Sequence, residues 1–344
     1  LNGIFAEMEA AGPTRILALR NAPTGLMAFI ALDDVTLGPA CGGIRTQPYA
    51  SVADALADVH KLASAMTLKC AIAGLAAGGG KTVVIDHPGL DRAAAFRRLG
   101  EFIEDLGGLY RCAGDLGTTE QDLSNVAATT QHCNTTDQAM GDATAQTVVS
   151  GIRAAAAARG VADLAKLRVA VQGCGLIGAS VARLLAAQGA RVMVTDVDAG
   201  LAERIAAEIG GSAVPANQFL SADVDVLSPC AIGGILSAGS IADIRAWAIC
   251  GGANNQLMEL SVADLLAGRE IILIPDFLAS SGAVIDGVCH NVMSCDPAPY
   301  LAAVEKTAAD ILLKAADSRQ STVAVAREIA LARIAGARAG RQVS

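Results

Sequence analysis

The stretch that most restricts what this chain can become is residues 167–196. Residues 167–172 form a continuous apolar strand pattern. Gly173-Cys174-Gly175-Leu176-Ile177-Gly178 follows at once, then a helical run over 179–188, then a second strand pattern that ends in Asp196. Strand, GxGxxG, helix, strand and acid in this order mark a dinucleotide-binding βαβ unit. The first glycine makes the turn and the second lets backbone reach a pyrophosphate. That pyrophosphate would rest on the helix N-terminus, where free N–H groups and the helix dipole favour negative charge. Asp196 lies 18 positions after Gly178. It is expected to hold the ribose hydroxyls and to repel a 2′-phosphate, which favours NAD over NADP. A lone GxGxxG carries little weight; the flanking strands and the acid give it force.

Strand patterns continue at 223–228, 247–251 and 271–274. They end at Ser228-Pro229-Cys230-Ala231, at Gly251-Gly252-Ala253-Asn254-Asn255-Gln256 and at Pro275-Asp276. In an open α/β sheet, ligands bind beyond such carboxyl ends. Cys230 and Ala231 therefore join Gly173, Gly175, Leu176, Ile177, Gly178 and Asp196 as candidate cofactor contacts. Asn254 or Asn255 is expected to face the nicotinamide, with an ordinary turn as the plain alternative.

A second region is unusual in a different way. Residues 66–85, MTLKCAIAGLAAGGGKTVVI, are almost wholly apolar or glycine, yet hold Lys69 and Lys81, two of only six lysines in the chain. A lysine in apolar surroundings loses hydration and its pKa falls, which fits it for proton transfer. Gly78-Gly79-Gly80 would let backbone approach a small ligand. The plain alternative is a pair of snorkelling lysines at the ends of a buried strand.

Upstream, residues 14–32 suggest two strands joined by a turn at Asn21-Ala22-Pro23-Thr24-Gly25. Leu37-Gly38-Pro39-Ala40-Cys41-Gly42-Gly43-Ile44-Arg45 suggests a glycine loop, either one whose N–H groups meet a carboxylate or a simple tight turn. Residues 51–65 have helical spacing with Ser51 as cap. Downstream, residues 88–106 suggest a turn and an amphipathic helix. Asp115 then lies between two glycines after a short strand pattern. It is either a helix cap or a catalytic carboxylate, and Thr118 or Thr119 followed by Glu120 already serves as cap. Residues 144–159 form an alanine-rich helix. Residues 299–340 are helical, and the last helix is expected to return to the first domain.

At 344 residues, with 53% hydrophobic and 17% charged residues, the chain has core enough for two domains and is not disordered. Residues 1–140, with the last helix from about 321 to 344, are expected to form a substrate-binding and oligomerisation domain; 141–320 are the nucleotide-binding domain. The net charge of −8 disfavours nucleic acid as a partner. No apolar run is long enough to span a bilayer, and the first residues lack the basic start of a secretory signal. The nine cysteines include no CxxC pair and mostly sit in apolar strings. They read as reduced core thiols of a cytoplasmic protein. The four histidines show no zinc spacing, and no metal is expected.

Taken in order, LGPACGGIR, MTLKCAIAGLAAGGGKTVVI, GDLGTT, VQGCGLIG with TDVD, and VLSPCAIGG with GGANNQL resemble the leucine, phenylalanine and valine dehydrogenases of the glutamate dehydrogenase superfamily. The likeness is collinear over nearly the whole chain. It implies an α/β protein with an N-terminal substrate domain and a Rossmann domain. It also implies that Lys69, helped by the Gly42-Gly43 backbone, binds the substrate carboxylate, that Lys81 activates water, and that Asp115 shuttles a proton to and from the amino group. Asn255 would contact the substrate carboxylate and the cofactor ribose, and Thr147 and Asp142 would lie at the hinge side of the nicotinamide site.

Oxidative deamination demands such groups: water must lose a proton to attack an iminium, and ammonia must gain one to leave. Domain closure is expected to keep water out during hydride transfer. Leu68 stands where the family usually has an aromatic residue, Gly114 where an acid is common, and residues 279–290 replace an asparagine-containing run. The side-chain pocket is expected at Cys41, Met66, Ala113, Val284 and Gly287, none of them charged, so a second carboxylate finds no cation there. The expected activity is reversible, NAD-dependent deamination of a branched or aromatic L-amino acid by a homo-oligomer. The alternatives are the same chemistry on an unusual amino acid, or a non-catalytic NAD-binding sensor.

Overall fold

The computed structural model describes residue 8, residues 15–135 and residues 138–342. The chain divides into two compact units, one drawn from 1–137, 287–295 and 330–344, the other from 138–286 and 296–329. The first holds a mixed sheet of β1 (Arg15–Asn21), β2 (Leu26–Asp34), β3 (Ala40–Gln47), β4 (Gly78–Ile85) and β5 (Tyr110–Gly114), in the order β1-β2-β4-β3-β5. β1, β2 and β4 run antiparallel in turn; β4, β3 and β5 are parallel. Helix α1 (Val52–Ile72) packs on one face through Ala55, Leu56, Val59 and Ala63 against Phe29, Ala31 and Val83. Helices α2 (Arg92–Glu104) and α3 (Glu120–Ala127) cover the other face, where Phe96, Leu99, Ile103 and Leu123 meet Ile30, Ile44, Val84 and Tyr110. The period-2 alternation of the strands assigns residues to these two cores.

Two expectations are corrected here for physical reasons. The helix expected over 51–65 does not stop there: α1 runs on from its Ser51 cap to Ile72, so Lys69 is on a helix and Lys81 on β4, and the alternative of one buried strand holding both lysines falls away. The last turns of α1 are apolar on every side, which hid the helical period. The Gly42-Gly43 pair is not a loop either but the middle of β3, with Gly42 opposite Cys112 and Gly43 opposite Ala113 on β5.

The run Gly78-Gly79-Gly80 serves packing rather than ligand approach. A Cβ on Gly78 would lie 1.8 Å from the Asp34 carbonyl oxygen, and one on Gly79 would lie 2.1 Å from the Thr67 nitrogen of α1. A Cβ on Gly80 would press on the Tyr110 ring at 3.0 Å. Without side chains here, α1 lies directly on β4 and brings the two lysine-bearing elements together.

The second unit opens with α4 (Gln138–Ala158). It then alternates β6 (Arg168–Gln172), α5 (Leu176–Ala187), β7 (Arg191–Thr195), α6 (Ala199–Ile209), β8 (Ser212–Ala213), β9 (Val226–Pro229), β10 (Ala248–Ile249), α7 (Ser261–Gly268) and β11 (Ile272–Leu273). The sheet is parallel in the order β11-β10-β9-β6-β7-β8. That is the doubly wound order, with its switch point between β6 and β9. Short helices α8 (Asp276–Ala279) and α9 (Gly282–Val288) and a π-helical turn at Cys289–Met293 lead to α10 (Ala298–Ser318) and α11 (Thr322–Gln342).

The end of α11 belongs to the first unit. There Arg333 donates to the carbonyls of Ala71 (2.8 Å), Gly74 (2.6 Å) and Leu75 (3.1 Å) at the C-terminus of α1. Arg338 pairs with Asp34 at 2.7 Å. A guanidinium thus satisfies carbonyls that a helix end leaves without partners. No helix among the described residues is long and apolar enough to cross a membrane.

Gly79→Ala would force α1 off β4. It is expected to destabilise the protein by about 3 kcal/mol or more, read as a lowered urea midpoint.

Candidate active site

On β3, β4 and β5 the alternation turns Gly43 and Arg45, Lys81 and Val83, and Arg111 and Ala113 toward α1, while Ile44, Val84 and Cys112 join the opposite core. The chemistry gathers on that α1 face. Lys81 Nζ lies 2.9 Å from Asp115 Oδ2, and Arg45 Nε reaches the same oxygen at 2.9 Å. The Lys81 side chain is only 7% exposed and that of Asp115 25%. Burial pushes the Lys81 pKa down, and the Asp115 carboxylate only partly restores it. Burial alone would raise Asp115, but the Lys81 ammonium and the Arg45 guanidinium more than offset it and hold the carboxyl below its usual range.

Gly43 leaves the room for this pair. A Cβ there would lie 2.8 Å from the Asp115 Cβ and 3.2 Å from Lys81 Nζ. The loop after β5 is bound to β3 beside Arg45. Gly117 takes φ of +75°, with a hypothetical Cβ 1.8 Å from the Thr46 carbonyl oxygen. Thr46 N–H donates to the Leu116 carbonyl at 2.9 Å. The Thr118 hydroxyl donates to the Ile44 carbonyl at 2.6 Å. Thr119, not Thr118, caps α3, in a capping box with Asp122. Asp115 is therefore free of any capping task and fixed by its neighbours.

The other candidates of the first unit take these places. Lys69 is buried in the last turn of α1, with Met66 half-buried one turn earlier. Cys41 is buried on β3, and its thiol is pushed up to about 12, chiefly by burial. Ala113 is half-buried on β5, as is Gly287 in α9. Arg111 was overlooked: it stands opposite Cys41 in register and acts electrostatically on Cys41, Glu104 and His132. Arg45 was overlooked too. Its signal was its place two residues after Gly43, hence on the same strand face, but only the strand assignment reveals it.

In the second unit Asp196 closes on the glycine loop. Its carboxylate accepts from the Cys174 N–H at 2.7 Å and the Asp198 N–H at 2.9 Å. Gly173 has φ of +90° and Gly178 packs against it, a Cβ there lying 1.8 Å from the Gly173 carbonyl oxygen. Gly175, by contrast, caps α5 with no side-chain bond, and a Cβ on it meets nothing within 4 Å. An uncapped helix N-terminus facing open space suits a pyrophosphate, so the residues fit a dinucleotide.

Leu176 packs against Gly141, Ile177 against Gly252, and Ala231 against Gly173. Cys230 Sγ accepts the Gly252 N–H at 3.4 Å. The loops after β6, β9 and β10 therefore meet at the carboxyl ends of the central strands. Asn255 takes a left-handed φ of 52°, held by its N–H on Asp276 and by its carbonyl on Gly234. Asn254 accepts from Ser280 at 2.9 Å. Thr147 is buried and donates to the Ala279 carbonyl at 2.7 Å, and Asp142 accepts from Ser180 at 2.8 Å. Val284 is half-buried in α9. Among the described residues no group of three or more His, Cys, Asp or Glu side chains is placed to hold a metal.

Sequence-family models match along the chain. Residues 16–132 match a Glu/Leu/Phe/Val dehydrogenase dimerisation domain and 199–338 a glutamate/leucine/phenylalanine/valine dehydrogenase domain. Residues 168–224 match the NAD-binding domain of 3-hydroxyacyl-CoA dehydrogenase. Leucine dehydrogenase of Geobacillus stearothermophilus is 38% identical over 291 residues, 82% of this chain and 79% of that enzyme. Phenylalanine dehydrogenase of Lysinibacillus sphaericus is 36% identical over 290 residues, 80% and 76% of the two chains. Among solved structures, L-tryptophan dehydrogenase from Nostoc punctiforme superposes with a TM-score of 0.87 at 30% identity, over 97% of this chain and 99% of that one.

Two glycines of the same loop should behave differently. Gly178→Ala, blocked by backbone, should lower the melting temperature. Gly175→Ala should keep stability to within about 1 kcal/mol yet weaken NAD binding, measured by titration calorimetry.

Proposed function

Because the chain belongs to the glutamate/leucine/phenylalanine/valine dehydrogenase family, we propose that it acts on an apolar L-amino acid, with Lys69, Lys81 and Asp115 as its working groups. The chain is an NAD-dependent amino-acid dehydrogenase that deaminates its substrate oxidatively. The observation that carries the assignment of roles is the buried Lys81–Asp115 pair on the face covered by the Lys69 helix.

The family likeness supplies these roles, and the surroundings of Lys81 and Asp115 support theirs. Lys69, a cation near the end of α1, receives the substrate carboxylate. When bound, NAD accepts the hydride that leaves the substrate α-carbon. Lys81, with its pKa lowered by burial, takes the proton from the water that attacks the resulting iminium. Asp115, ionised at rest and fixed by its loop, takes a proton from the substrate's amino group and returns it as ammonia departs. In the second unit Asp196 and Asn255 are assigned to the cofactor riboses, and the N-terminus of α5 to the pyrophosphate. Small uncharged residues at Cys41 and Ala113, with Met66, support a branched or aromatic side chain. One methylene in such a pocket shifts preference by only about 1–3 kcal/mol, so a related set of substrates is expected.

The proposal includes a cytoplasmic homo-oligomer. Supporting it are nine free cysteines, most of them buried, and the match of the first unit to a dimerisation domain. Light scattering should give a mass that is a multiple of the chain's own.

Leucine, valine and phenylalanine are the substrates to test, by NADH absorbance; no turnover with any of them would remove the substrate assignment. The base must be neutral to act, so deamination should rise with pH through the lowered Lys81 value, while the reverse amination should fall over the same range. Lys81→Ala should reduce deamination by about 1000-fold or more and leave NAD affinity unchanged.

A further inference from the structure

Beside the Lys81–Asp115 pair, the proposed roles leave one charged side chain without a task. Arg45 is neither at the surface nor a substrate ligand in that scheme, yet its Nε lies 2.9 Å from Asp115 Oδ2, the same oxygen that Lys81 holds at 2.9 Å. Its other end is anchored. Nη1 meets the two oxygens of Asp58 on α1 at 3.4 and 3.3 Å, and the Tyr49 hydroxyl donates to Asp58 at 2.7 Å. The result is a chain of contacts, Tyr49–Asp58–Arg45–Asp115–Lys81, running from α1 through β3 to the loop after β5. We infer that Arg45, held from behind by Asp58 and Tyr49, is the positioning residue that keeps Asp115 in place and charged when Lys81 gives up its proton.

The need arises from the proton cycle itself, and the inference rests on Lys81 being the base. A base lysine must pass through its neutral form. Were Lys81 the sole cation on Asp115, each such passage would leave a buried carboxylate uncompensated. Asp115 would then be free to swing toward water between its proton transfers, and the geometry of the shuttle would be lost. A guanidinium cannot lose its proton at any working pH, so it holds the carboxylate whatever state the lysine is in. Its planar fork also lets one side chain bind Asp115 through Nε and Asp58 through Nη1, which an ammonium cannot copy. Among the described residues, the charged groups that act most strongly on Lys81 are Asp115 from the loop, Arg45 from β3 and Asp58 from α1. Of these, Arg45 alone repels the charged lysine, and so works in the same direction as burial.

The experiment is the pH profile of kcat/KM for deamination, with NAD affinity and melting temperature as controls, for the full protein and for Arg45→Gln, Arg45→Lys and Lys81→Ala. Arg45→Gln removes the cation, so Lys81 should hold its proton to higher pH. The acid limb should move up by about one unit, with about tenfold lower activity at neutral pH. Arg45→Lys keeps the charge without the fork, so its limb should stay near the wild-type position while kcat falls. An unmoved limb in Arg45→Gln, with activity lost only in step with the melting temperature, would overturn the inference and make Arg45 a structural residue.

If Arg45→Gln does not fold, Asp58→Asn carries the test. The anchor is lost and the cation kept, so kcat should fall while the limb does not rise; an unchanged kcat overturns the inference. Lys81→Ala separates the two levels. If it retains activity with the wild-type limb, the base assignment fails, whereas an inactive Lys81→Ala beside an unmoved Arg45→Gln limb defeats the role of Arg45 alone.

Discussion

A lysine ammonium and an aspartate carboxylate held 2.9 Å apart beneath a helix set the terms for the rest of the first unit. Burying two charges together is seldom a source of stability, because lost hydration is only repaid by good geometry. Such a pair persists where its poised proton is useful. The surroundings fit that purpose. Gly43 makes room for it, Gly79 lets α1 cover it, and Gly117 bends the loop that supplies the acid. Three glycines that look like punctuation are each fixed by an approach closer than any Cβ permits.

That constraint reaches the far end of the chain. The helix lying on β4 ends shortly after Lys69, and a helix end leaves carbonyls without partners. Arg333 supplies donors to three carbonyls there, while Arg338 ties the same helix to Asp34. The returning C-terminal helix is thereby part of what keeps Lys69 in position, more than 250 residues away in sequence from the arginine that secures its helix.

The two units were not equally legible. In the nucleotide-binding unit each step is written locally: the glycine that turns, the helix that follows, the acid that ends the next strand. Asp196 and Gly173 could be placed from spacing alone, and the parallel sheet follows from repeated strand–helix alternation. In the first unit the strand order β1-β2-β4-β3-β5 is not the order of the sequence. Nothing near Arg45 says that β3 will lie between β4 and β5, so its contact with Asp115, 70 positions away, is invisible until the register is known. The misplaced helix end at residues 66–72 has another cause: Thr67 to Ile72 are buried all round, and a segment without a polar side has no period to detect. The glycine run before Lys81 misled through its chemistry, since glycine serves ligand approach and close packing equally well.

The wall expected for the substrate side chain follows from the same alternation. Cys41, Gly43 and Ala113 share the α1 face of β3 and β5 with Lys81, and Gly43 is bare because Gly114, Asp115 and Lys81 crowd it. With its thiol pushed up to about 12 by burial, Cys41 stays neutral at any pH at which Lys81 can work, so it offers bulk and polarisability but no charge. Arg111 occupies the same row and acts electrostatically on Cys41, Glu104 and His132. The proposed preference for apolar amino acids rests on Cys41 and Ala113, small and uncharged, in this row.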